Sequence, residues 1–208
     1  RMGDLQPSAL KGALINAAVK HLKKLVPQYS LPRAVSFREV LKKGRSHSLK
    51  MVKKTLDDIA VLQYTGGTTG VAKGAMLTHG NLVANMQQVH ACMLQASADG
   101  QPLIKEGQEI MIAPLPLYHI YAFTANCMCM MVTGNHNVLI SNPRDIPAFI
   151  NEMKKWRFTG LLGLNTLFVA LMESPEFKNL DFSGLKITNS GGTALVKATA
   201  ERWKQVTG

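Results

Sequence analysis

The 208-residue sequence has few cysteines, few aromatic residues and no long run of purely apolar residues. Its three cysteines include one Cys-x-Cys pair, which supplies too few ligands for a structural zinc site. An odd number of cysteines without a signal peptide favours reduced thiols, so we expect a cytoplasmic protein. Residues 110–143 carry no formal charge, but prolines and polar residues divide them into a predicted strand, turn and buried helix rather than a membrane span.

Acidic residues are scarce in the first quarter of the chain. Residues 1–54 contain 13 Lys and Arg but two acidic residues, whereas residues 55–208 contain 11 of each. Such a segment suits an anionic membrane surface, which would place the protein on the inner face of the cell membrane. The alternative is a solvated face whose acidic partner lies elsewhere. Aromatic residues do not alternate with these cations, so we expect no nucleic-acid partner.

The same quarter differs from the rest in pattern. Residues 10–26 form a predicted amphipathic helix that ends at Pro27, and residues 33–54 are expected to be a connector. We therefore divide the chain into a basic helix and connector, 1–54, and an α/β subdomain, 55–208. Arg1 is not a natural start and the chain ends directly after a helical pattern, so we expect a fragment that is truncated at both ends.

Apolar segments alternate with helical patterns from residue 55 onwards. Helices separate most of the predicted strands, which lie near 59–64, 109–113, 137–140, 158–162 and 185–188, with a short return strand at 75–77. This order favours an α/β fold with a mostly parallel sheet flanked by helices. Ligands bind such sheets at the carboxyl ends of strands, where we expect the glycine turns at 66–70 and 191–192.

A segment rich in glycine and threonine follows the first predicted strand, with the sequence QYTGGTTGVAKGA over residues 63–75. Glycine allows close approach of backbone N–H groups to an anion, threonine adds hydroxyl donors, and Lys73 adds a positive charge. The segment therefore predicts a phosphate-binding loop, with a flexible hairpin as the alternative. It is not a Walker loop, because Ala72 replaces the second glycine and Gly74 replaces the magnesium-binding Ser or Thr.

Two further segments complete the pattern. The first is PLYHIYAF over residues 116–123, in which His119 can donate a hydrogen bond without carrying a charge. The second is SGGTAL over residues 190–195, whose Gly-Gly pair is by itself only a common turn. A lone histidine at a helix start is usually a cap, so the interpretation of His119 depends on the other two segments.

Together these segments resemble the adenylate-forming enzymes, which include acyl-CoA synthetases, luciferases and adenylation domains. Residues 64–74 are similar to the signature Tyr-Thr-Ser-Gly-Thr-Thr-Gly-x-Pro-Lys-Gly, with Gly67 in place of serine and Ala72 in place of proline. The wording of residues 62–79, 115–123, 140–147 and 200–208 most resembles bacterial long-chain fatty-acid–CoA ligases. The resemblance therefore implies ATP-dependent activation of a fatty acid, followed by transfer of the acyl group to coenzyme A.

The resemblance also implies roles for individual residues. Lys73 and His119 would be catalytic, Thr68 would contact Mg²⁺, and Gly191 and Gly192 would admit adenine. An acyl tunnel would involve Tyr118, His119 and Phe123. The ATP phosphates would be held by Tyr64, Thr65, Gly66, Gly67, Thr68, Thr69, Gly70, Val71, Ala72, Lys73, Gly74 and Ala75.

The expected small molecules are ATP, Mg²⁺, coenzyme A and a fatty acid, with a homodimer as an open question. In the family, a magnesium-binding Glu, a ribose-binding Asp and a catalytic Lys would lie beyond residue 208, so we expect the fragment alone to be inactive. Three alternatives remain open: a fatty-acyl–AMP ligase, an amino-acid adenylation domain, and a peripheral membrane-binding module built on the basic segment.

Overall fold

The computed structural model describes residues 8–65, 72–94 and 102–208. The chain divides into two compact units, Arg1–Val52 and Lys53–Gly208, and each is described by itself. The phosphate-loop residues Gly66, Gly67, Thr68, Thr69, Gly70 and Val71 lie outside the described residues.

The first unit contains two helices. Helix α1, Ala9–Ala17, begins at the N-cap Ser8 and continues as a π-helix, Ala18–Leu22, so the predicted helix ends earlier than Pro27. Helix α2, Phe37–Gly44, lies where a connector was expected. That prediction was wrong because the ends of this short helix carry suitable charges, with Glu39 in the first turn and Lys42 and Lys43 in the last.

The second unit begins with a two-stranded antiparallel sheet. Strand β1, Ile59–Thr65, pairs with β2, Lys73–Thr78, and helix α3, His79–Leu94, follows. The predicted return strand is therefore present, but β1 does not join the parallel sheet as expected. The physical reason is length, since the seven residues from 66 to 72 allow a hairpin but not a parallel crossover, which needs a dozen or more.

The other four strands form the predicted parallel sheet. They are β3, Ile110–Ala113, β4, His136–Leu139, β5, Gly160–Gly163, and β6, Ile187–Ser190, in the spatial order β4-β3-β5-β6. The connection from β3 to β4 contains α4, Ile120–Ala122, a π-helix, Phe123–Cys129, and α5, Met130–Val132. The remaining helices are α6, Ile146–Met153, α7, Asn165–Glu173, α8, Pro175–Lys178, and α9, Lys197–Thr207.

The core of this unit lies on both faces of the parallel sheet. Successive strand residues point to opposite faces, so Ile112 and Leu161 join one cluster and Met111 and Leu162 join the other. The first cluster includes Phe149, Phe168 and Trp203 from helices α6, α7 and α9. The second includes Cys129 and Met130 from the connection after β3. The uncharged segment is thus divided between strands and helices as predicted.

Helix starts follow the sequence in some places and not in others. Asp145 caps α6, accepting a hydrogen bond from the N–H of Ala148 at 3.1 Å. Thr78 accepts one from the N–H of Asn81 at 3.2 Å and so caps α3, as predicted. Asn165 was expected to cap α7, but it is the first helical residue, and its side-chain oxygen instead accepts from the N–H of Val196 at 3.0 Å. A contact across the fold has therefore replaced a local cap.

Candidate functional site

The two strands of the hairpin hold the ends of the glycine loop side by side. Thr65 lies opposite Lys73, and Tyr64 lies opposite Gly74. A Cβ built on Gly74 would lie 3.3 Å from the ring of Tyr64, so the ring covers this glycine closely. Ala72, Lys73, Gly74 and Ala75 are all exposed, which leaves this end of the hairpin open to a ligand.

His119 lies just before α4 and acts as its N-cap. Its Nδ1 accepts a long hydrogen bond of 3.3 Å from the N–H of Tyr121. A ring nitrogen that accepts carries no proton, so Nε2 carries the proton and can donate to a ligand. The side chain is exposed, and the neutral tautomer held here is the form that orients a carboxylate without adding charge.

One contact joins the hairpin to the histidine segment. The side-chain Nε2 of Gln63 lies 3.3 Å from the backbone oxygen of Tyr64 and 3.5 Å from that of Tyr118. The second distance makes a weak bond, but it places the last residues before the glycine loop beside the residue that precedes His119. The structure therefore brings the first and second predicted segments together.

A second contact joins the histidine segment to the Gly-Gly turn. The hydroxyl of Tyr121 donates to Asn189, with its side-chain oxygen at 3.1 Å and its backbone oxygen at 3.3 Å. A Cβ built on Gly191 would lie 2.7 Å from two ring atoms of Tyr121. The ring therefore occupies the space that any larger residue at 191 would need.

The turn itself follows β6 at the carboxyl end of the parallel sheet, as predicted. The N–H of Gly191 donates to the backbone oxygen of Gly163 at 3.1 Å, which ties the turn to the end of β5. Gly192 has φ of 76°, a backbone conformation that favours glycine. The Gly-Gly pair thus has a backbone reason as well as a packing reason to be conserved in type at these positions by design of the turn.

The residues assigned to an acyl tunnel are close in sequence but differ in environment. Tyr118 is 84% exposed, whereas Phe123 is half-buried at the start of the π-helix. A cavity of about 140 Å³ lies beside the Gly-Gly turn, between β6 and helices α7 and α9. It is lined by Phe168, Thr188, Ser190, Leu195, Thr199, Ala200 and Trp203, and so does not include Tyr118 or Phe123.

Sequence reasoning missed Gln63, Tyr121 and Asn189 as members of this site. Each lies within two residues of a predicted site residue, which is the only signal that the sequence offers. Tyr121 and Asn189 are separated by 68 positions, and nothing in either local pattern indicates that they form a hydrogen bond.

Within the described ranges, no group of three or more His, Cys, Asp or Glu side chains is placed to hold a metal ion. Thr68, the residue expected to contact Mg²⁺, falls outside those ranges. In the same part of the chain, no helix has the length and apolarity needed to cross a membrane.

The arrangement combines a hairpin loop for phosphates, a neutral histidine donor and a glycine turn at a sheet edge. The AMP-binding enzyme family matches residues 7–208. The chain belongs to this family. Members of the AMP-binding enzyme family include relatives with high identity to this chain over its whole length.

A long-chain-fatty-acid–CoA ligase from Escherichia coli O157:H7 is 50% identical over 210 residues, which cover 100% of this chain and 36% of that protein. The chain thus spans about a third of the length of the curated relatives it matches. Two solved structures share the fold of the AMP-binding enzyme family with this chain. The N-terminal domain of FACL13 from Mycobacterium tuberculosis has a TM-score of 0.67 at 18% identity, over 94% of this chain and 46% of that one. The O-succinylbenzoate coenzyme A synthetase from Bacillus subtilis, in complex with AMP, has a TM-score of 0.61 at 19% identity, over 83% of this chain and 40% of that one.

Proposed function

We propose that this chain is the central part of a long-chain fatty-acid–CoA ligase. The observation that carries the proposal is the 50% identity to the Escherichia coli ligase over the whole chain. The geometry supports it, because Gln63 and Tyr121 link the three segments that the resemblance assigns to phosphate, carboxylate and adenine. In this proposal, residues 55–208 hold the nucleotide and acyl sites.

In the first step, a carboxylate oxygen of the fatty acid attacks the α-phosphorus of ATP. The bond from that phosphorus to the bridging oxygen breaks, and pyrophosphate leaves with the negative charge. Lys73 and the donors of the loop at 64–75 stabilise that charge, and Nε2–H of His119 orients the attacking carboxylate. Gly191 and Gly192 allow adenine to approach the backbone.

In the second step, the sulfur of coenzyme A attacks the acyl carbonyl carbon. A thioester bond forms, the bond to AMP breaks, and the thiol proton is released. The acyl chain passes Tyr118 and Phe123, whose side chains lie on either side of His119 in the sequence. Bound Mg²⁺ would neutralise phosphate charge, with Thr68 as the proposed contact from this chain.

The direct test is ATP–pyrophosphate exchange by the full-length protein, measured over a panel of carboxylates from short to long chains. We expect exchange that depends on a long-chain fatty acid and thioester formation when coenzyme A is added. Exchange without thioester formation would identify a fatty-acyl–AMP ligase instead. Exchange that requires an amino acid would identify an adenylation domain, and no exchange with any carboxylate would overturn the proposal.

The 208 residues alone are expected to be inactive in the same assay. By the family resemblance, the magnesium-binding Glu and the catalytic Lys come from outside this chain. Exchange by the isolated segment would contradict this assignment and would show that the residues present are sufficient.

A second candidate role is contact with an anionic membrane from the inner face of the cell membrane. Helix α2 favours it, because Phe37, Val40 and Leu41 are each at least half exposed on a helix that also carries Lys42 and Lys43. Exposed apolar and basic groups on one short helix suit an anionic lipid surface. Co-sedimentation of the full-length protein with phosphatidylserine vesicles, weakened by salt, is the expected result, and equal binding to neutral vesicles would contradict it. A homodimer remains a proposal, which sedimentation equilibrium tests.

A further inference from the structure

Tyr121 contacts both the histidine segment and the glycine turn. Its backbone N–H donates to Nδ1 of His119 at 3.3 Å. Its hydroxyl reaches Asn189, directly before Ser190 and the Gly-Gly turn, and its ring lies against Gly191. One residue therefore contacts two elements that belong to different strand connections of the sheet.

The hydroxyl contact is a shared one. The two oxygens of Asn189 lie at 3.1 and 3.3 Å from it, so a single proton serves two acceptors. Burial raises the pKa of the Tyr121 hydroxyl, which keeps the proton in place at neutral pH. The side chain is half-buried while Asn189 is exposed, so the contact lies at the boundary between the core and the open site.

The ring restrains the turn from a second direction. Its atoms lie 2.7 Å from the position that a Cβ would take on Gly191, and the turn is also held by the bond from Gly191 to Gly163 at 3.1 Å. With the ring on one side and β5 on the other, the turn has little freedom to move away from the histidine segment.

We propose that Tyr121 is a positioning residue that holds the Gly191–Gly192 turn at a set place relative to His119. This inference rests on the proposed function, in which the turn admits adenine and His119 orients the carboxylate. Tyr121 does not touch the reacting atoms in this proposal. It acts through Asn189 and Gly191, so its loss affects how well the nucleotide is held more than how the protein folds.

The test is Tyr121→Phe in the full-length protein, which keeps the ring and removes the hydroxyl. We expect the dissociation constant for ATP, measured by calorimetry without fatty acid, to rise about fivefold, which is the usual effect of one lost hydrogen bond. The melting temperature and the KM for fatty acid should stay close to those of the wild type. The matched control is Tyr29→Phe, since Tyr29 is an exposed tyrosine of the first unit. ATP binding unchanged in Tyr121→Phe would overturn the inference.

A second variant tests whether Tyr121 acts through Asn189. Asn189→Ala removes the side-chain acceptor but leaves the backbone one, so its effect on ATP binding should be no larger than that of Tyr121→Phe. The double variant should bind ATP no more weakly than Tyr121→Phe alone, because the hydroxyl is already gone. Additive losses would show that the two residues act separately and would overturn the inference.

Amide hydrogen exchange separates this inference from the proposed function. In Tyr121→Phe, peptides that cover residues 189–193 should exchange faster than in the wild type, while those of α6 should not change. This result is expected whether or not the wild-type protein shows fatty-acid-dependent exchange of pyrophosphate. Unchanged amide exchange at 189–193 would overturn the inference even in a fully active enzyme.

Discussion

The two ends of the parallel sheet both carry polar side-chain contacts, but they differ in exposure. At the amino end, the carboxylate of Glu109 is 1% exposed and pairs with Nζ of Lys186 at 2.7 Å, joining the starts of β3 and β6. At the carboxyl end, Tyr121 bonds to an exposed Asn189 beside an exposed His119. The comparison indicates that the sealed contact stabilises the fold, whereas the open contacts are available to a ligand.

The amino-end contact is also better satisfied. The Glu109 carboxylate accepts from the N–H of Lys105 at 2.6 Å as well as from Lys186. Burial alone would raise the pKa of Glu109, but the hydrogen bonds from Lys186, Lys105 and Thr159 hold it below its ordinary value. A buried carboxylate with this many partners is costly to disturb.

The largest effect is expected from Lys73→Ala, which tests the open end. Loss of its charge should reduce fatty-acid-dependent pyrophosphate exchange by the full-length protein about 100-fold, because the leaving pyrophosphate loses a stabilising cation. The melting temperature should be unchanged, since Lys73 is exposed. Lys155→Ala is the matched control, because Lys155 is an exposed lysine paired with Glu152 next to α6. Exchange equal to the wild type in a folded Lys73→Ala protein would break the comparison.

The next effect concerns the sealed end. Glu109→Ala should lower the free energy of unfolding by about 3 kcal/mol, because it leaves Lys186 and the N–H of Lys105 without their acceptor. Urea denaturation of the full-length protein measures the loss. The KM for ATP of the protein that remains folded should match the wild type. A higher KM for ATP without loss of stability would show that this pair belongs to the site after all.

The smallest effect is a pH dependence at the sealed end. A carboxylate whose pKa is lowered by folding adds stability that is fully present above its unfolded pKa, about 4.3, and is lost as the pH falls through its folded pKa. The wild type should therefore lose more stability than Glu109→Gln between pH 7 and pH 3. Parallel melting-temperature curves for the two proteins would show that Glu109 contributes nothing to acid sensitivity.

Local patterns were sufficient to predict most elements of the second unit. The strands near 109–113, 137–140 and 158–162 are present because short apolar runs between turns suit a buried parallel sheet. The cap at Asp145 and the turn at 191–192 follow equally local rules. The assignments of Lys73, His119, Gly191 and Gly192 to catalytic and binding roles stay predictions until they are tested.

Predictions failed where a local signal competed with a distant partner. Asn165 has the chemistry of a cap, but the N–H of Val196 takes its oxygen. Strand β1 has the apolar character of a parallel strand, but the nearby β2 pairs with it across a short loop. In both places the deciding group belongs to another segment, so no window of sequence around the residue contains the answer.

The sequence by itself determined the family, the phosphate-loop pattern and the α/β class, because residue type and spacing are enough to specify them. Only the tertiary structure decided that the hairpin, His119 and the glycine turn are linked through Gln63, Tyr121 and Asn189. It also decided that Glu109 is sealed while Asn189 is open to water. The physical reason is that hydrogen bonds and burial depend on which segments meet in space, and residues as far apart as Tyr121 and Asn189 meet only when the sheet has formed.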